Sequence, residues 1–71
     1  MTDKNRSSEE WLLSRKPRYP YLIQAPVSVH PECVSEKVYG EHVSAVIHRG
    51  VRTYAFQTEA HRDLFKKDFE L

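Results

Sequence analysis

A β-hairpin in the second half of the chain is the clearest element in the pattern of apolar and polar residues. In the predicted strand His42–His48, every second residue from Val43 onwards is apolar, which is the period of a strand with one buried face. Arg49-Gly50 can form a two-residue turn because glycine adopts positive φ at little cost, and a second strand then ends near residue 57. This turn implies three facing pairs: Val43 with Phe56, Ala45 with Tyr54, and Ile47 with Arg52.

An amphipathic helix is predicted over about residues 59–69, directly after the hairpin. Thr58 is a suitable N-cap, and Glu59 complements the positive end of the helix dipole. We expect the apolar side of this helix to lie across the apolar side of the hairpin and to bury the core. The two sides consist of Ala60, Leu64, Phe65 and Phe69 in the helix, and of Val43, Ala45, Ile47, Tyr54 and Phe56 in the hairpin.

A second helix is predicted near the start of the chain, over about residues 8–15. Ser7 and Glu10 have the spacing of a capping box. Pro17 ends the helix, because the residue before a proline is kept out of the α region. Its apolar side consists of Trp11 and of Leu12 or Leu13. A helix of two turns is not stable alone, so we expect it to dock through Trp11, either on its own domain or on a partner.

The middle of the chain is less regular. Tyr21–Ala25 has the composition of a short strand, which Pro26 interrupts and Val27–Val29 can resume at a sheet edge, where proline is tolerated. Residues 33–39 fit either a short helix that stops at Gly40 or an extended segment that leads into the hairpin. We favour the helical turn.

These elements predict an α+β fold, in which a small antiparallel sheet of two to four short strands is packed by the C-terminal helix, with the N-terminal helix added. We expect residues 8–71 to form this single domain and residues 1–7 to be disordered. A core is marginal in a chain of 71 residues, and such folds often rely on a metal, disulfides or a partner subunit. The single Cys33 excludes an intramolecular disulfide. The chain is also too short to enclose a catalytic pocket with its supporting groups, so we predict that it is not an enzyme.

Charge and hydropathy exclude some partners. The net charge of +1 provides no overall field to attract nucleic acid or membranes. The sequence has no apolar run of the roughly 18 residues that span a bilayer, and its polar N-terminus does not resemble a signal peptide. With a single cysteine, these features favour a cytoplasmic location and no membrane partner.

The segment from Arg15 to Tyr21 is the most basic and aromatic part of the chain. Cations that alternate with tyrosines can contact phosphates and stack on bases; alternatively, the segment is a solvated linker whose tyrosines pack on the sheet. Trp, Tyr and Arg also dominate the hot spots of protein interfaces, and an edge strand at Tyr21–Ala25 or Val27–Val29 can pair with a second chain. The candidate partner-binding residues are Trp11, Arg15, Lys16, Arg18, Tyr19 and Tyr21.

The histidines and the cysteine form an alternative constellation. His30 and Cys33 have His-x-x-Cys spacing, and His61 can add a ligand for Zn or Cu. His42 and His48 share a strand face but lie about 20 Å apart at the rise of a strand, so they cannot bind the same ion. The alternative metal site is His30, Cys33 and His61, with His42 as a possible further ligand; we favour no metal and no other cofactor.

The C-terminal part resembles the YHS domain, a small metal-associated module related to the TRASH group. The resemblance rests on Gly50, Tyr54-Ala55-Phe56, Thr58-Glu59, Phe65 and Asp68, and upstream on Pro26-Val27-Ser28 and Pro31-Glu32. It implies short strands closed by one helix, together with transition-metal binding. At the family's cysteine positions this chain has Ser28, Gln57 and, near the last, His61, so it resembles a degenerate form without the metal ligands.

The prediction from sequence is a small, non-enzymatic adaptor or regulator that binds another protein, such as an inhibitor of a larger protein, on a degenerate YHS-like scaffold. A homodimer is compatible with the same features. The alternatives are a transition-metal-binding module and a nucleic-acid-binding accessory protein.

Overall fold

The computed structural model of the protein describes residues 4–71. It confirms the predicted α+β class, with a three-stranded antiparallel sheet, a C-terminal helix and a short N-terminal helix. The elements in chain order are α1 (Lys4–Ser14), β1 (Tyr21–Pro26), a 3₁₀ turn (Pro31–Cys33), α2 (Glu36–Tyr39), β2 (His42–His48), β3 (Val51–Phe56) and α3 (Glu59–Asp68). None of the helices in the described part combines the length and the apolar character needed to cross a membrane.

The strand β3 lies at the centre of the sheet, in the order β1-β3-β2. Its last four residues, Thr53 to Phe56, are all buried, although their side chains alternate between the two faces. Such continuous burial requires cover on both faces of the sheet. One face packs against α3, and the other packs against α1.

The face toward α3 carries an aromatic core. Tyr54, Phe56 and Phe65 are fully buried, and the Phe65 ring lies 5.0 Å from the Tyr54 ring and 5.2 Å from the Phe56 ring, measured between centroids. Thr58 caps α3 as predicted, since its side chain accepts a hydrogen bond from the backbone amide of His61. Aromatic burial on this face is therefore the main cohesion between α3 and the sheet.

The face toward α1 is smaller and less completely buried. Leu12, Tyr19 and Ala55 form its buried centre, with Leu22, Val43, Ala45 and Ile47 packed around them in half-buried positions. Leu12 is 1% exposed, whereas Trp11 is 41% exposed. Leu12, one of the residues predicted for the apolar side of α1, therefore makes the contact with the sheet. The expectation that Trp11 makes this contact within the domain is wrong, while docking of Trp11 on a partner stays a prediction.

The register of the hairpin differs from the predicted one. The turn Arg49-Gly50 sets His48 opposite Val51 as expected, but Ile47 has no partner in β3, and Val46 pairs with Arg52. Beyond this bulge every pair shifts by one residue. The observed pairs are Val43 with Ala55, Ala45 with Thr53, and His42 with Phe56.

The bulge changes which face the β2 side chains occupy. A shift of one residue in register moves a strand's apolar set to the opposite face. Val43, Ala45 and Ile47 therefore lie under α1, and the expectation that α3 covers them is wrong. His42 occupies the α3 face instead, with its ring 5.4 Å from the Phe56 ring between centroids.

The N-terminal helix begins earlier than predicted. It includes residues 4–7, so Ser7 lies inside the helix and the predicted capping box is wrong. The predicted disorder of residues 1–7 stays a prediction, and residues 1–3 lie outside the described part of the chain.

The segment between β1 and β2 contains a turn, a 3₁₀ turn and the short helix α2. Val27–Val29 forms a turn and not an edge strand, as the hydrogen bond from the Val29 amide to the Pro26 carbonyl indicates. The helical interpretation of residues 33–39 is confirmed for residues 36–39: α2 starts after the N-cap Ser35 and stops at Gly40, whose φ is 75°. Cys33 ends the preceding 3₁₀ turn, and Val34 and Ser35 are extended.

Candidate functional site

An open groove of about 310 Å³ lies beside α1, on the less completely covered face of the sheet. The last turn of α1, the segment that follows it and the start of β2 form its walls. Its lining includes Trp11, Arg15, Pro17, Arg18, Tyr19 and Val43.

A tight turn after α1 builds one wall of this groove. The amides of Arg18 and Tyr19 both donate to the carbonyl of Arg15, at 3.0 and 2.8 Å. The chain therefore folds back on the end of the helix, and Tyr19 returns to the core beside Leu12. Pro17, whose φ is restricted, lies inside this turn.

Trp11 is the largest exposed apolar group of the groove. The residue is 41% exposed, and the guanidinium carbon of Arg15 lies 5.3 Å from the ring centroid. A cation stacked at this distance restricts both side chains and contributes about 0.5–1 kcal/mol at an exposed site. The groove thus presents an ordered indole with a cation beside it.

Arg18 forms a second stack of the same kind. Its guanidinium carbon lies 5.7 Å from the Tyr19 ring centroid, and one of its nitrogens lies 3.3 Å from Oε1 of Glu41. Glu41 also accepts a hydrogen bond from Gln57, at 3.0 Å. The ion pair is exposed, so it orients Arg18 but contributes little to stability.

The groove region is locally basic, although the whole chain is almost neutral. Arg18 pairs with Glu41, while Arg15 and Lys16 form no ion pair with any residue in the range 4–71. Two uncompensated cations beside an exposed indole attract an anionic group.

The predicted partner-binding residues do not form one surface. Trp11, Arg15 and Arg18 line the groove, and Lys16 is exposed beside Arg15. Tyr19 contributes to the groove wall but is only 7% exposed, so it is mainly a core residue.

Tyr21 lies on the other side of the sheet. Its side chain packs with the α3 core, and the guanidinium carbon of Arg62 lies 5.9 Å from its ring centroid.

Sequence reasoning missed Val43, which lines the groove only because the bulge moves it to the α1 face. The alternation along β2 carries no signal for that bulge.

The alternative metal ligands are not brought together. Across residues 4–71, no three or more His, Cys, Asp or Glu side chains form a group that could hold a metal ion. Cys33 and His30 are exposed, whereas His61 is half-buried, with Nδ1 2.8 Å from Oγ1 of Thr58.

Two buried tyrosines have shifted pKa values, and both serve the fold. Burial raises the pKa of Tyr39, and its hydrogen bond to Asp68, of 2.8 Å, raises it further. Burial also raises the pKa of Tyr54, which donates to the Val29 carbonyl at 2.7 Å. Nearby Arg52 opposes this second shift, and Cys33 adds to it. Each hydroxyl joins one segment to another.

The fold and the groove define a small α+β domain with α1 on one face of a three-stranded sheet and α3, together with the short α2, on the other. Comparisons of the chain with models of protein families, with curated proteins and with solved structures give no match. The resemblance to the YHS domain therefore stays a prediction from the residues quoted above.

Proposed function

We propose that this chain is a small, non-enzymatic adaptor or regulator that binds another protein in the groove beside Trp11. The observation that carries the proposal is an indole 41% exposed in a groove of about 310 Å³. An exposed indole does not contribute the stabilisation that its burial would give to the fold. Indole and guanidinium groups are enriched among the residues that dominate binding at protein interfaces.

The shape of the groove favours a protein partner. It is open, and its floor includes Val43, a half-buried residue on the incompletely covered face of the sheet. An apolar side chain of a partner can bury Trp11 and Val43 together, while a carboxylate of the same partner meets Arg15. The partner class that fits best is therefore a segment that presents both an apolar and an acidic residue.

A nucleic acid is the weaker candidate. Arg15 and Lys16 can contact phosphates, and Trp11 can stack on a base. However, Arg18 is already paired with Glu41, so the side chains that the structure describes place no row of free cations along the groove, as a phosphate backbone would require. We keep nucleic acid as an outcome of the capture experiment.

The proposal also includes a cytoplasmic location, a YHS-like scaffold and the absence of a metal or cofactor. These parts rest on the sequence.

The test is an affinity capture from the source cells, followed by a titration of the purified partner. Trp11 is the only tryptophan of the chain, so its fluorescence reports occupancy of the groove directly. We expect partner binding to change this emission. We also expect Arg15→Gln to weaken binding about tenfold, which is about 1.4 kcal/mol. Trp11→Ala, followed by retention on the partner rather than by fluorescence, should abolish capture.

Lys67→Gln is the matched control, because it removes the same charge from an exposed position of α3. It should leave affinity unchanged, and circular dichroism should show all three variants folded. Equal partner affinity in the natural chain and in Trp11→Ala would contradict the proposal. Capture that nuclease treatment eliminates would instead assign the groove to nucleic acid.

A further inference from the structure

The strand β1 has an edge that no other strand covers. It pairs with β3 on one side, and the described part of the chain places no strand on its other side. Unpaired edges of this kind present backbone donors and acceptors that a further strand can use.

The register identifies which groups face outward. Pro26 lies opposite Val51, and the next residue, Val27, donates its amide to the Gly50 carbonyl at 3.2 Å. In an antiparallel pair, every second residue exchanges hydrogen bonds with its partner. Tyr21, Ile23 and Ala25 therefore bond to β3, whereas the amides and carbonyls of Leu22 and Gln24 point away from it.

We propose that this edge pairs with β1 of a second copy of the chain, about a two-fold axis through Ile23, so that the two sheets form one six-stranded antiparallel sheet. In that register Leu22 faces Gln24 of the second copy, and Gln24 faces its Leu22. Each copy contributes two outward amides, and each amide meets a carbonyl of the other copy. No donor of the edge remains unpaired.

Two prolines support pairing with an identical strand. Pro20 and Pro26 lie three residues before and three residues after Ile23, so each faces the other proline across the two-fold axis. Both are at outward positions, and neither has an amide hydrogen to leave unsatisfied. The ladder therefore ends at the same place in both copies, and pairing stops at two sheets.

The groove beside this edge also suits an identical partner. A cavity of about 280 Å³ lies between β1 and α3, lined by Leu22, Ile23, Gln24, Arg62, Asp63 and Lys66. A two-fold axis brings like surfaces together, so the groove must carry both signs of charge. The cavity between β1 and α3 carries the cations Arg62 and Lys66 and the anion Asp63. Lys66 forms no ion pair among residues 4–71. Lys66 is thus available for Asp63 of the second copy.

The other edge of the sheet is less suitable. The strand β2 carries the bulge at Ile47, and bulges at edges interrupt pairing with further strands. A dimer through β1 would bury the half-buried Ile23 of each copy against the other and leave the Trp11 groove, on the opposite face, open.

A disulfide test reports the proposed register. Ile23 faces itself across the axis, where Cα atoms of such a pair lie about 4.5 Å apart, within the range that a disulfide spans. In a Cys33→Ser background, Ile23→Cys should therefore form a covalent dimer under mild oxidation. Gln24→Cys, which faces Leu22 of the second copy, is the control and should cross-link far more slowly. Equal rates would overturn the proposal.

A second test needs no cysteine. Gln24 is exposed, and Gln24→Pro removes an outward amide that β3 does not use, while Gln24→Ala keeps it. Sedimentation should show a dimer for the natural chain and for Gln24→Ala, and at least a tenfold weaker dimer for Gln24→Pro. A chain that remains monomeric up to millimolar concentration would refute the inference. So would a dimer that Gln24→Pro leaves intact.

Discussion

Gly40 shows how a single residue constrains this fold. Its φ of 75° and ψ of 179° lie in a region that only glycine occupies readily. The ring of His61 lies 2.8 Å from the place where a Cβ would stand. Gly40 therefore ends α2 and at the same time admits a side chain of α3.

Gly50 provides the matched comparison. Its φ is 78°, but nothing lies within 4 Å of its Cβ position. We expect Gly50→Ala to lower the free energy of unfolding by about 1–2 kcal/mol through backbone strain alone. Gly40→Ala should cost more, because the new methyl group also displaces His61. Urea denaturation of both variants measures the difference, and equal losses would show that the His61 contact carries no energy.

Adjacent apolar residues explain why the site was only partly predictable. Trp11, Leu12 and Leu13 are consecutive, so composition does not reveal which of them faces the sheet. The direction of α1 relative to the sheet decides this, and it depends on the tight turn at Arg15 to Tyr19. The basic and aromatic character of this segment was therefore predictable, and packing of its tyrosines on the sheet was one of two stated alternatives. The choice of Leu12 as the buried residue was not predictable.

The docking of α1 is the element on which the groove depends. Leu12 is 1% exposed and Leu13 is 48% exposed, so the same substitution at neighbouring positions tests the orientation of the helix. We expect Leu12→Ala to cost about 2–5 kcal/mol and Leu13→Ala less than about 1 kcal/mol. Thermal or urea denaturation measures both.

The emission of Trp11 gives a second readout for the same pair. A shift toward the emission of free tryptophan in Leu12→Ala, but not in Leu13→Ala, would indicate that α1 has left the sheet. Similar losses of stability in the two variants would contradict the orientation described for this helix.

The alternating patterns predicted the elements well because they act locally. The hairpin, α3 with its Thr58 cap, and the stop of α2 at Gly40 each depend on a few neighbouring residues. The register of the hairpin does not depend on neighbouring residues alone. The bulge places the apolar side chains of β2 under α1, and the stabilisation comes from their burial against that helix. Because α1 is distant from β2 in the sequence, the residues around β2 do not predict the register.

The stability of the whole molecule should fall in alkali. Burial first, and then the contact with Asp68, raise the pKa of Tyr39 above its ordinary value of 10.0. The folded state thus keeps this proton after the unfolded state has lost it. The contribution is complete below the unfolded pKa, near 10, and is lost as pH rises through the higher folded value. Tyr54 acts in the same direction.

The check is a series of urea midpoints from neutral pH to beyond pH 10. Tyr39→Phe should cost about 1 kcal/mol at neutral pH through the lost hydrogen bond, and its midpoint should then fall less steeply in alkali than that of the natural chain. Lys37→Gln, an exposed change in the same helix, should keep the natural slope. Identical slopes in all three proteins would rule out Tyr39 as the titrating group.

At the scale of the molecule the two faces of the sheet have different roles. The α3 face holds the fully buried aromatic rings, while the α1 face holds half-buried aliphatic residues beside an open groove. Stability is thus concentrated on one side and accessible surface on the other. Under the proposed function, a partner would bind beside Trp11 without disturbing the aromatic core.

The unpaired residue at Ile47 also sets a rule on chain length. Side chains alternate with a period of two, so the number of residues between Val43 and Val51 decides which face Val43 occupies. Removing or adding one residue there would exchange the two faces of β2, whereas a change by an even number would preserve them. The fold therefore restricts the number of residues in this segment, whatever their identity. Variants that keep the fold should differ in length by an even number of residues.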